Sequence, residues 1–205
     1  SLKAAELSND PEAQYMLGIL YEQGAGTETD YAKAADFFTL ASIGNHAKAQ
    51  LHLGTLYRYG DGVPLDLKKA TRYYLSAANN GNIDAMLGLG VMYYEGKGVK
   101  QNYSKALSLY KKAANKGSTH AQVNIGMMYE TGTGVNKNYE KAISWYKKAI
   151  INNSSSAQLY LGIMLVNGQG VEKNITEGRE WIEKSAQQGD SEALEMLKQL
   201  DTMSE

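Results

Sequence analysis

The stretch YEGKGVKQNYSKA, from Tyr94 to Ala106, sets two glycines around a lysine and runs into what reads as the start of a helix. Glycine turns that open onto a helix N-terminus hold phosphate in many proteins, because the free backbone N–H groups and the helix dipole favour anions. A phosphate cradle also needs a lysine in a fixed place with Ser or Thr after it. In the sibling stretches of this chain, the residue between the paired glycines is Ala25, Asp61, Thr133 or Gln169. The lysine is therefore incidental, and the glycines serve the backbone and not a nucleotide.

Other reactive side chains fare no better. His46 and His52 lie six residues apart and His120 lies far along the chain, whereas paired helical metal ligands need spacings of three or four. There is no cysteine, which excludes disulfides and thiolate metal sites. No serine sits in a nucleophile-elbow pattern, and no carboxylate pair is set apart in an apolar stretch that would tune a general acid. With no convergent nucleophile and base, the chain reads as a non-enzyme without cofactor or metal. Sequons at Asn102, Asn152, Asn153 and Asn174 matter only in a eukaryotic secretory source.

The elements that would position any site are legible from composition and spacing. The 205 residues carry a net charge of −1, which argues against nucleic acid or a membrane surface as main partner. No apolar run is long enough to span a bilayer. Two prolines and two phenylalanines stand against 15 tyrosines and 21 glycines, and period-two alternation is absent. Helices with regular glycine punctuation are expected, and repeats should be sought first.

A period of 36 runs from Ala13 through Ala49, Ala85, Ala121 and Ala157 without insertion. Counted from each alanine, position five is Leu17, Leu53, Leu89, Ile125 or Leu161, and position six is Gly18, Gly54, Gly90, Gly126 or Gly162. Position nine is Tyr21, Tyr57, Tyr93, Tyr129 or Leu165. Glycine returns at positions twelve and fourteen, followed by Val63, Val99, Val135 and Val171, with Thr27 the exception. Position eighteen holds Asp30, Asp66, Asn102, Asn138 or Asn174, all strong helix N-caps. Position thirty-three is Asn45, Gly81, Gly117, Asn153 or Gly189, the types that stop a helix in the left-handed region. Position thirty-four supplies a new cap in Asn82, Ser118, Ser154 and Asp190, with His46 the exception. Each unit is thus a helix A, a glycine connector and a helix B. Of the 21 glycines, 18 fall at these four positions, and the one inside every helix A implies a second helix against its bare backbone.

The pattern A-x3-LG-x2-Y-x2-G-x-GV-x2-(D/N)-x2-KA-x2-(W/Y)Y-x2-A resembles the Sel1-like repeat, a relative of the tetratricopeptide repeat. The resemblance implies an all-α, right-handed superhelical solenoid of antiparallel helix pairs, acting as an adaptor or scaffold. It also implies a bacterial protein, periplasmic or secreted after loss of a leader, with a cytoplasmic location as the alternative. One branch of the family carries a cysteine pair in each repeat, and this chain departs from it. Thr27 points to a looser loop in the first unit, and Leu165 with Gly178 to weaker helix packing in the last. Residues 1–12 read as the tail of a preceding helix B, and 193–205 as a polar capping helix in which Lys198 replaces the glycine and Asp201 the tyrosine. The expected organisation is one solenoid over 1–205, with repeats 13–48, 49–84, 85–120, 121–156 and 157–192. No N-terminal cap is visible, which suggests further residues before Ser1.

In tetratricopeptide-like stacks helix A lines the concave wall, and matching the two patterns puts positions three, seven, ten, eleven and thirty-six there. The resemblance thereby implies a groove of Tyr15, Ile19, Glu22, Lys48, Leu51, Thr55, Arg58, Tyr59, Asp84, Leu87, Val91, Tyr94, Glu95, His120, Met127, Glu130, Ile163 and Asn167. Apolar floors with polar rims mark binding sites. The alternative is that positions three and seven are core between neighbouring helices. The expected partner is another protein or peptide, with no nucleic acid and no membrane insertion, taken by a chain that is monomeric on its own. Within that class the resemblance allows a bacterial immunity protein that occludes a toxin; a cryptic hydrolase and a structural spacer are the other readings. Residues 97–148 hold ten lysines against Glu130 and Glu140, a face that is either solvated or a docking site for an acidic partner.

Overall fold

Asp10 starts the first helix: its carboxylate accepts from the Glu12 N–H, and Pro11 follows at the first helical position, where a missing N–H costs nothing. The computed structural model describes residues 9–26 and 28–202. Its helices are α1 Pro11–Gln23, α2 Tyr31–Ile43, α3 Ala47–Tyr59, α4 Leu67–Asn79, α5 Ile83–Glu95, α6 Tyr103–Asn115, α7 Thr119–Thr131, α8 Tyr139–Ile151, α9 Ser155–Asn167, α10 Ile175–Gln187 and α11 Ser191–Thr202. Among the described residues there is no strand. The odd-numbered helices α1 to α9 are the helices A and the even-numbered ones the helices B.

Every expected helix B cap is used: Asp30, Asp66, Asn102, Asn138 and Asn174 accept from the backbone N–H three residues on. His46, expected to break the helix A series, caps as well. Its Nδ1 accepts from Ala49 N–H at 3.2 Å, so an imidazole does the work of an Asn or Ser side chain. The stop position is left-handed throughout, with φ of 58° at Asn45, 85° at Gly81, 95° at Gly117, 57° at Asn153 and 87° at Gly189.

The glycine inside helix A is explained by the helix B of the same repeat. A Cβ on Gly54 would lie 2.6 Å from Tyr74, and one on Gly90 2.5 Å from Tyr110; Gly18 meets Phe38 and Gly126 meets Tyr146 in the same way. Those four rings are buried, so bare backbone and aromatic face form one contact in four successive repeats. In the fifth repeat, a Cβ on Gly162 would meet Ile182, and the Gly178 carbonyl lies 2.7 Å from that point. The expectation of weaker packing there is corrected: two glycines face each other and let α9 and α10 approach backbone to backbone, and Leu165 is buried.

The chain forms two compact units that divide between Ala113 and Ala114. The core of the first gathers Ala34, Phe38, Ala41, Ala49, Leu53 and Leu56. In the second, Ala142, Tyr146, Ala157, Leu161 and Met164 form one cluster and Leu159, Ile182, Ala193 and Leu200 another. Pro11 and Glu12 belong to α1, so the expected helix B tail shortens; the rest of it at residues 1–8 lies outside the described residues, as do Thr27 and 203–205.

Candidate functional site

Helices α3 and α5 present successive turns of their position-three and position-seven residues side by side. Leu51 and Thr55 on α3 and Leu87 and Val91 on α5 line a cleft of about 460 Å³ in the first unit. Glu22 from the end of α1, Arg58, Tyr59 and Asp84 complete its rim, and His52, Tyr74 and Gly88 its floor and wall. Tyr59 is 60% exposed, a large amphipathic ring held in solvent. The Arg58 guanidinium stands 5.4 Å from the centre of that ring. Tyr74 is buried with its hydroxyl 3.2 Å from Thr55 Oγ1, which leaves the cleft floor largely apolar.

At one end of the cleft, His52 Nδ1 donates to the Glu22 carboxylate at 3.0 Å. The imidazole packs against Phe38 at 4.9 Å and Tyr15 at 5.8 Å between centroids. The imidazole of this His–Glu pair thus lies against aromatic carbon on Phe38 and Tyr15. Tyr15 also stacks on His46 at 4.5 Å; burial, then the Glu12 and Glu22 charges, raise its hydroxyl pKa.

The structure brings together Glu22, Leu51, Thr55, Arg58, Tyr59, Asp84, Leu87 and Val91 from the expected groove set. It places others differently. Ile19 packs on the first-unit core, and Lys48 is exposed away from the cleft lining. Tyr94, expected to face the groove, packs edge-on against Tyr103 at 5.2 Å, where the adjoining helix covers its apolar face. Glu95 pairs with Lys97 at 3.0 Å, so Lys97 has a local partner. In the second unit, His120 and Asn167 are exposed, Met127 is exposed at 38%, and Ile163 packs on the Leu159–Ile182 cluster. Val123 and Leu159 at position three are buried there, so position three lines the cleft at Leu51 and Leu87 and serves the core at Val123 and Leu159. Glu130 is held by the Tyr146 hydroxyl at 2.6 Å.

Sequence reasoning missed His52, Tyr74 and Gly88. Gly88 left a signal, being one of three glycines, with Gly44 and Gly178, outside the four recurrent positions. A second regularity was also missed. The position-nine tyrosines each lie under a lysine of helix B: Lys33 over Tyr21 at 5.2 Å, Lys69 over Tyr57 at 5.0 Å, Lys105 over Tyr93 at 5.1 Å and Lys141 over Tyr129 at 5.4 Å. In the fifth repeat both members change, to Leu165 and Glu177, and a hollow of about 260 Å³ opens beside them and Trp181.

The glycine loop between α5 and α6 is tied into the helix packing. Asn102 Oδ1 already accepts the Lys105 N–H at the start of α6, and Gly98 packs on the Leu67 carbonyl. Among the described residues no three His, Asp or Glu side chains are grouped to hold a metal. None of the described helices is long and apolar enough to cross a membrane.

The Sel1 repeat model matches residues 11–46, 47–82, 83–118, 119–154 and 155–190, and the chain belongs to the Sel1 repeat family. Its fold is the all-α solenoid class, built from helix pairs of 36 residues. A protective antigen of uropathogenic Escherichia coli with an SLR fold aligns at 34% identity over 89% of this chain, with a TM-score of 0.84. The chain spans only 39% of that antigen's length. A Sel1 repeat protein from Oxalobacter formigenes aligns at 31% identity over 92% of this chain and 75% of its own, with a TM-score of 0.89. An immunity protein from Pseudomonas aeruginosa shares the fold at 23% identity, over 86% of this chain and 68% of its own, with a TM-score of 0.59. No match was found among curated proteins. Sel1 repeat proteins in general mediate protein–protein contacts as non-enzymatic scaffolds.

Proposed function

We propose that the chain is a non-enzymatic binding module that takes a segment of a partner protein in the cleft between α3 and α5. The observation that carries this reading is the apolar strip of Leu51, Leu87 and Val91, rimmed by Glu22, Arg58, Asp84 and the solvent-held Tyr59. Binding surfaces gain most from a desolvated apolar centre with an aromatic or Arg anchor, and the rim supplies orientation. The likeness to the E. coli antigen supports a bacterial protein exported from the cytoplasm. The immunity-protein likeness is one of fold and adds no partner.

A photo-crosslinking residue at Tyr59 or Leu87 should capture a discrete partner in envelope fractions of the source bacterium, and one at exposed Ile175 should not. Tyr59→Ala should abolish capture with helicity unchanged. Tyr94→Ala, which removes a ring packed on Tyr103, should lower stability while sparing capture. Equal capture from Tyr59 and Ile175 would sink the cleft as the docking surface.

A further inference from the structure

The two ends of the cleft carry opposite charge. Along the shared direction of α3 and α5, Asp84 comes first, then Leu51 with Leu87 at position three. Thr55 with Val91 follow at position seven, and Arg58 with Tyr59 at positions ten and eleven. An acid near a helix N-terminus and a base near a C-terminus each suit the helix dipole. The repeat does not impose them, however. Position thirty-six is Glu12, Lys48, Asp84, His120, Ser156 or Glu192, and position ten is Glu22, Arg58, Tyr94, Glu130 or Val166. In this cleft an acid and an arginine close one apolar strip from its two ends.

Both end charges are unspent. Among the described residues neither Asp84 nor Arg58 has an ion-pair partner. Asp84 is exposed. The Arg58 guanidinium stands 5.4 Å from the Tyr59 ring centre, and its several N–H donors leave it able to meet a carboxylate as well. The other charges nearby are committed or turned aside. Glu22 is met by His52 Nδ1 at 3.0 Å, and Lys48, level with Asp84 on α3, does not line the cleft. Between the ends, Leu51, Leu87 and Val91 are only half-buried, so aliphatic carbon is open to a partner.

The spacing sets the length of the occupant. Asp84 stands level with Lys48, ten residues before Arg58. Ten residues of helix cover about 15 Å at about 1.5 Å per residue. An extended chain rises about 3.3 Å per residue and turns every second side chain the same way, so residues four apart span about 13 Å on one face. We infer that the cleft takes an extended segment centred on an aliphatic residue, with a lysine or arginine two residues to one side meeting Asp84 and a glutamate or aspartate two residues to the other meeting Arg58. This rests on the cleft being the binding surface and names the chemistry of its occupant. The apolar centre supplies affinity, and the charge pairs at the rim fix register and reject wrong partners.

The test uses the whole chain and capped peptides with a lysine–alanine–leucine–alanine–glutamate core, followed through the backbone amides of Leu87 and Val91 by NMR. Three controls carry lysine at both flanks, glutamate at both flanks, or serine in place of the leucine. The mixed-charge leucine peptide should shift both amides saturably, and each control should bind at least fivefold more weakly. Asp84→Lys should turn the preference to the peptide with two glutamates, and Arg58→Glu to the one with two lysines, each variant keeping the parent's circular dichroism. Equal binding of mixed and like-charged peptides overturns the assignment, as does a serine peptide that binds as tightly as the leucine one. Variants that weaken every peptide alike, without reversing the preference, overturn it too. If crosslinking through Tyr59 captures a partner while no peptide shifts these amides, the charge assignment falls and the cleft reading stands. If neither occurs, both fall.

Discussion

The Tyr146 hydroxyl, buried in the core of the second unit, donates to Glu130 Oε2 at 2.6 Å. Burial first, then the hydrogen bond and charge of Glu130, push the Tyr146 pKa far above its ordinary value of 10.0. A raised folded-state pKa means that the native state holds the proton more tightly than the unfolded chain. The resulting stability is complete below pH 10 and is lost as pH rises beyond it. Tyr146→Phe should cost about 1.5–3 kcal/mol at pH 7, the range for a hydrogen bond to a charged group. Between pH 9.5 and 11.5 that variant should lose less further stability than the parent in urea titrations. Some alkaline loss will remain, since burial also raises the pKa of Tyr73 and Tyr160. An identical alkaline slope in both proteins would contradict the assignment.

Gly88 and Gly90 stand two residues apart on α5 and should respond to alanine with opposite signs. At Gly90 the new methyl would lie 2.5 Å from the buried Tyr110 ring, and overpacking of this kind costs about 1–3 kcal/mol. At Gly88 the methyl makes an ordinary 3.5 Å contact, and helix propensity favours alanine by about 0.8–1 kcal/mol. Urea unfolding followed by circular dichroism should therefore rank Gly88→Ala above the parent and Gly90→Ala below it. Destabilisation by both would show that the Tyr74 wall is too tight to admit a side chain.

His46 joins three interactions in one ring: the cap to Ala49 N–H, a 3.0 Å contact of Nε2 with Glu12, and the stack on Tyr15. Because Nδ1 accepts, the proton sits on Nε2, which then donates to the carboxylate. His46→Ala should cost about 1–2 kcal/mol, near the upper range for an N-cap, as it removes the stack too. His46→Asn should restore the cap and recover roughly 1 kcal/mol of that loss. If the Asn and Ala variants are equally unstable, the stack outweighs the cap.

The helix pairs were legible because each boundary is set locally: an Asp or Asn that accepts three residues on, and a Gly or Asn that turns left-handed. The His46 cap was not, since an imidazole caps only when its tautomer and ring orientation are fixed from outside, here by Glu12 and Tyr15. The candidate cleft was legible in its walls and not in its cause. Leu51, Thr55, Leu87 and Val91 follow from the resemblance to tetratricopeptide-like stacks, but Gly88 breaks a pattern, and counting recurrent glycines hides the one that recurs nowhere. Glu130 and Tyr94 share repeat position ten with Arg58, yet each is committed to a ring of helix B, to Tyr146 and Tyr103. A helical wheel fixes which face a residue occupies and not which neighbour claims its side chain.

The lysine–tyrosine contacts predict a rebuildable pair. Four repeats place a helix B ammonium 5.0–5.4 Å from the position-nine ring, and the fifth has Leu165 and Glu177 beside a hollow that Trp181 also lines. Leu165→Tyr alone should fill part of that hollow with a ring that meets Glu177 where the other repeats have a lysine, and Glu177→Lys alone should give a cation without the position-nine ring. Together they should couple favourably by about 0.5–1 kcal/mol, the size of an exposed cation–π contact. A double-mutant cycle in urea isolates that coupling from the volume change. The Tyr57→Leu and Lys69→Gln cycle should show the same coupling in reverse. Coupling in the second repeat without coupling in the fifth would mean that the close Gly162–Gly178 crossing leaves no room for the ring. Absence of coupling in both would show that the lysines cover these rings without stabilising them.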